Sequence, residues 1–201
     1  MKPTYPKTLT LGFAVLCLLV QACQSGSSSA VQATEEAETT AEATKPAYQS
    51  PAAFQAQVGG VWQAYLSLKD ALVASEAAQA REKAGMILNA LQKVDSTSLA
   101  LEARPVWVSQ ARSLQTDVEA NRASQEVGQQ RAVFERVSKE MYDLVKNWGA
   151  SGGTVYKQFC PMALGNKGAF WLSAEKQIRN PYFGDAMLQC GEVQDELRFR
   201  P

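Results

Sequence analysis

The sequence contains no histidine. That absence excludes Ser-His-Asp and Cys-His catalysis, and it removes the imidazole ligands usual for zinc and Cu(II). An excess of either charge is missing too. Twenty Lys and Arg balance twenty Asp and Glu, so no global field draws the chain to nucleic acid. No Gly-rich loop of the Walker or dinucleotide type occurs. A long apolar run is also lacking. Leu9 to Val20 gives about a dozen residues, where roughly 20 are needed to cross a bilayer. Cysteine is scarce, with four in 201 residues, so each can be followed separately.

The first apolar stretch has the layout of an export signal. Lys2 and Lys7 precede it, and Val20-Gln21-Ala22-Cys23 follows. A branched aliphatic at −3 and Ala22 at −1, leading straight into a cysteine, resemble a bacterial lipobox. The expectation is a lipoprotein signal peptide over residues 1–22, with Cys23 as the lipid-modified N-terminus. Residues 23–50 then form a lipid-anchored disordered tether, rich in Ser, Thr, Ala and Glu and unable to offset its own ordering entropy. Glu35, Glu36, Glu38 and Glu42 within it are a solvated face. The implied location is the cell envelope, with the lipid in the membrane as a partner. Gln24 after the cysteine points by bacterial sorting rules to the outer membrane, facing the periplasm.

Residues 51–201 read as one helical domain. Ser50-Pro51 opens a first helix, where Phe54, Val58, Val61, Trp62, Tyr65, Leu68 and Leu72 recur at spacings of three and four. Ser75 is placed to cap a second helix, with Ala80, Ala84, Ile87, Leu88 and Leu91 inward. Pro105 starts a third, carrying Trp107, Val108, Ala111, Leu114 and Val118. A fourth begins near Gln125, buries Val127, Phe134, Val137, Met141, Leu144, Val145 and Trp148, and stops at Gly149. The expected fold class is all-α, an up-and-down four-helix bundle. A turn-rich C-terminal segment packs on it, in which "TVYKQFC" alone reads as a short strand.

That last segment holds the only chemistry-bearing cluster. Cys17 leaves with the signal and Cys23 carries lipid, so Cys160 and Cys190 are the remaining thiols. Met162 and Met187 stand beside them in "FCPMALG" and "AMLQCGE". Thiolate and thioether are soft donors that select Cu(I), and Ag(I) by the same logic. Met187 and Cys190, three apart, share a face if the stretch makes a helical turn. Met141 is a further candidate ligand, better explained as core packing, and Trp171 a ring for a soft cation, better explained by burial. Asp185, Glu192 and Asp195 surround the second pair. The competing reading is a structural disulfide, since two exported cysteines thirty positions apart readily form one. The residues leave both readings open.

"YLSLKDALVAS", "FERVSKEMYDLVK", "VYKQFCPMALGNKGAFWLS" and "IRNPYFGDAMLQCGEV" together resemble domain of unknown function 3347. That family also forms the C-terminal domain of CusB-like adaptors of heavy-metal efflux pumps. The resemblance runs from about Ala53 to Leu197. It implies a helical domain tied to copper or silver handling, with Cys160, Met162, Met187 and Cys190 as metal ligands and an efflux or envelope protein as partner. The expected function is therefore an exported lipoprotein that binds Cu(I) or Ag(I) for sequestration or delivery. The alternative is a disulfide-stapled helical interaction module with no metal. No enzyme is expected, because a cysteine nucleophile without histidine needs another activating group and none is visible.

Overall fold

The computed structural model describes residues 43–150 and 152–200. The signal, Cys23 and most of the expected tether lie outside the described residues. Four helices follow one another: α1 (Ala52–Val73), α2 (Ala77–Leu91), α3 (Arg104–Ala123) and α4 (Val127–Trp148). Each packs on the next, and α4 returns to α1, which is the neighbour pattern of an up-and-down bundle. The inward faces follow the apolar spacing. Phe54, Val58, Val61, Trp62, Tyr65, Leu68 and Leu72 of α1 are all buried, as are Phe134, Val137, Met141, Leu144, Val145 and Trp148 of α4. Val108 is an exception and lies on the outside of α3.

Ser75 does not cap α2, whose N-terminus has no side-chain cap. It ends α1 instead, in the left-handed region at φ 60°. Ser75 N–H donates to Leu72 O and Glu76 N–H to Ala71 O, the two bonds of a Schellman turn. Its hydroxyl accepts from Arg131 Nη2 at 2.9 Å, a tertiary contact that no local spacing announces. At the far corner, buried Asn121 and Gln130 fasten the α3–α4 turn. Asn121 Nδ2 donates to Gln130 O, and Gln130 Nε2 donates to Ala77 O at the start of α2.

The C-terminal segment corrects the all-α expectation. It forms a three-stranded antiparallel sheet, β1 (Gly153–Cys160), β2 (Ala169–Ser173) and β3 (Glu192–Phe199), in the order β2-β1-β3. β1 is the strand expected from alternation. β2 escaped because "AFWLS" is a five-residue run buried at nearly every position, so it shows no period of two. β3 escaped because Asp195 interrupts its inward set of Val193, Leu197 and Phe199.

The sheet docks on the bundle through α4 and β2, and a buried tyrosine joins the layers. Tyr65 of α1 stacks between Trp62 and Phe134. Its hydroxyl bonds Ser138 Oγ at 2.8 Å and accepts from Leu172 N–H of β2 at 3.0 Å. Burial pushes the phenol far up in pKa, so it stays neutral. Residues 43–48, composition-read as the end of the tether, run along β3 and the end of α4. Thr44 N–H donates to Arg198 O, Ala47 N–H to Lys146 O, and Tyr48 stacks on Trp148 at 5.0 Å.

Tyr65→Phe removes the shared hydroxyl and leaves Leu172 N–H buried without a partner. An unsatisfied buried donor costs about 1–3 kcal/mol, so urea denaturation should show a loss of that size with the fold retained.

Candidate functional site

Strand β1 delivers Cys160 as its last residue, opposite Ala169 of β2. Cys160 is fully buried and stands at the closed end of the ladder. The chain then turns. Met162 is in the right-handed helical region (φ −86°, ψ −12°) and is 45% exposed. Pro161-Met162 is therefore a turn, and Cys160 and Met162 do not share one face of an extended strand.

Cys190 arrives on the long connection from β2 to β3, whose shape is dictated by Asn180. That side chain is completely buried. Its Nδ2 donates to Cys190 O at 2.7 Å and its Oδ1 accepts from Tyr182 N–H at 2.8 Å. Its own backbone N–H donates to Leu188 O at 2.8 Å. Both ends of one carboxamide are thus spent on folding residues 180–190 into a closed loop. Tyr182 anchors the loop to the sheet through a hydroxyl donated to Phe170 O at 2.6 Å.

Arg131 of α4 clamps the loop from the bundle side. Its Nε donates to Pro181 O and its Nη2 to Leu72 O, and burial lowers its pKa. Gly184 adopts φ +59°, and a Cβ there would meet Ser75 Oγ and Val73 O within 3 Å. Gly191, next to Cys190, has φ +145°, and a Cβ would stand 2.8 Å from Phe159 O and 2.9 Å from Trp171. Only glycine lets the loop press this closely on the end of β1.

The outcome is a convergence of sulfur. Cys160 Sγ and Cys190 Sγ are 2.9 Å apart, both as free thiols. Met162 Sδ lies 3.9 Å from Cys190 Sγ. A disulfide requires about 2.05 Å. A metal held at about 2.3 Å from each thiolate, the zinc–thiolate scale, requires the sulfurs roughly 4 Å apart. The pair stands between these two states, roughly 1 Å from either. The ladder holds the backbone of Cys160 and hydrogen bonds hold that of Cys190, so either state is reached by side-chain rotation or by a shift of the Cys190 loop.

Met187 comes nearby in another way. It ends a short 3-10 turn, Gly184–Met187, and its carbonyl accepts from Cys190 N–H at 3.1 Å. The helical turn that would align the two residues is present, and the bond it makes to Cys190 is through the backbone of Met187. Met141 is enclosed in the bundle. Trp171 is buried edge-on against Tyr182, as the packing interpretation requires. Asp185 and Glu192 are exposed, and Asp195 accepts from Tyr142 OH at 3.0 Å. Among the described residues no three Cys, Asp or Glu side chains form a metal-holding group.

Sequence reasoning identified the sulfurs and missed Asn180 and Arg131. Asn180-Pro181 carried a turn signal, but nothing local indicated that its amide faces a carbonyl ten residues later. Arg131 had no signal at all, since its acceptors come from distant segments.

A helical bundle closed by a small sheet, with a sulfur cluster at the sheet's end, is the class of protein defined here. Residues 61–153 match the model of the family described as protein of unknown function (DUF3347). The match covers most of the bundle and ends before Cys160, Met162, Met187 and Cys190. No curated protein and no solved structure matches the chain.

Cys190 has its thiol pKa pushed up, first by its hydrogen bond with Cys160 and then by desolvation. Alkylation of Cys190 should therefore accelerate as pH rises. Cys160→Ser removes the thiol partner and should speed the reaction at pH 8. Timed mass spectrometry of the native protein checks both, and an unchanged rate in the variant contradicts the account.

Proposed function

We propose that this chain is an exported, lipid-anchored protein that binds Cu(I) or Ag(I) for sequestration in the envelope or delivery to efflux. The observation that carries the reading is the convergence of Cys160, Cys190 and Met162 sulfurs at 2.9 and 3.9 Å in a chain without histidine. Soft donors favour soft monovalent ions over the harder ions that carboxylates and imidazoles take. In the metal-bound form Cys190 draws back, both cysteines ligate as thiolates and exposed Met162 closes over the ion. Met187 completes the donor set if its side chain swings toward Cys190. Since ligation needs deprotonated sulfur, affinity rises with pH.

A second reading has its own support. The two cysteines already face each other at 2.9 Å, which suits a disulfide-stapled helical module that docks on an envelope partner. Closing a loop of thirty residues contributes roughly 3.5 kcal/mol in the chain-entropy model.

Competition of the reduced protein against a Cu(I) chelator separates the two. The metal reading expects binding at one equivalent, at least a hundredfold weaker in Cys160→Ser and about tenfold weaker in Met162→Leu. Equal binding in all three proteins contradicts it and favours the staple.

A further inference from the structure

We propose that Cys160 and Cys190 form a reversible redox latch, an asymmetric dithiol in which Cys190 is the entry thiol, Cys160 the resolving thiol and Asn180 the positioning residue. The chemistry does not depend on metal. Its consequence for metal loading rests on the function proposed above.

The asymmetry follows from burial. Cys160 has no exposed surface, so an external disulfide cannot reach it in the folded protein. Cys190 is partly exposed and is the sulfur a small disulfide oxidant meets. Oxidation then has two balanced steps. The Cys190 thiolate attacks the oxidant, forming a mixed disulfide and releasing one small thiol. Cys160, after losing its proton, attacks Cys190 Sγ, forms the Cys160–Cys190 bond and releases the second small thiol. The protein loses two protons and two electrons, and the oxidant is reduced to two thiols.

The second step needs the resolving sulfur already beside its target. At 2.9 Å it is there, held from one side by the β1 ladder and from the other by Asn180. The Asn180 amide grips Cys190 through its carbonyl at 2.7 Å, while Cys190 N–H is tied to Met187 O. The backbone of Cys190 is thus bonded at both its polar groups, and Gly191 lets the loop press against Phe159 and Trp171. Oxidation consumes both thiolates and leaves only thioethers, so the latch switches the cluster between a strong and a weak soft-metal site.

The test equilibrates the full chain with oxidised and reduced glutathione, quenches with an alkylating reagent and reads the state of Cys160 and Cys190 by peptide mass. Wild type should pass reversibly between dithiol and disulfide without unfolding. Cys160→Ser should accumulate glutathione on Cys190, whereas Cys190→Ser should leave Cys160 unmodified while folded. Asn180→Ala should lower the equilibrium constant for ring closure about tenfold, or about 30 mV. Asn180→Asp keeps the acceptor for Tyr182 N–H, loses the donor to Cys190, and should show a similar fall. A purely structural Asn180 would lower stability and leave that constant unchanged in the folded Asp variant, which overturns its positioning role. A pair that stays oxidised at every glutathione ratio until the protein unfolds, or never oxidises, overturns the latch. Cu(I) competition on both forms separates this from the metal reading. A reversible couple without Cu(I) binding supports the latch and defeats the metal reading alone, whereas equal binding by both forms defeats the latch as a gate.

Discussion

The carboxamide of Asn180 is the interaction on which the candidate site depends. A buried amide is expensive unless its donor and acceptor are both used. Here the donor goes to Cys190 O and the acceptor to Tyr182 N–H. One side chain thereby folds the 180–190 connection on itself and sets Cys190 against the end of β1. The β1–β3 ladder, which pairs Glu192 with Phe159, brings the chain back to the end of β1, and the amide fixes how the loop carrying Cys190 sits there.

Around that loop the scaffold is arranged in layers. The bundle core is apolar and aromatic, with Phe54, Trp107 and Trp148 meeting at 5.0 to 5.8 Å. Tyr65 links it to β2, and the β1 ladder carries Cys160. The loop comes last, tied to the bundle by Arg131 and to the sheet by Tyr182. A sulfur at the end of the ladder faces one whose backbone is held by hydrogen bonds of 2.7 and 3.1 Å, bonds that a backbone shift of about 1 Å would break.

The bundle was largely legible in the sequence because its apolar residues follow the helical period, and a period survives without knowledge of tertiary partners. Ser75 shows the limit. Its type suggested a cap for α2, but its role is set by φ 60° and by Arg131 from α4. The sheet was one-third legible. β1 alternates, while β2 is buried on both faces and β3 carries a charge within its inward set. The sulfur donors were readable as residue types. Their geometry was not, because Met162 enters by a turn and Met187 bonds Cys190 through its backbone. The family match stops at residue 153, so the account of the sulfur cluster rests on this chain's own chemistry.

The central claim is that a soft monovalent ion is held by sulfur alone at the end of β1. X-ray absorption of the reduced protein carrying one equivalent of Cu(I) tests it most directly. The account predicts a first coordination shell of two thiolates and a thioether, with no nitrogen or oxygen. A shell dominated by light atoms, or the same spectrum after both cysteines are replaced by serine, would contradict it.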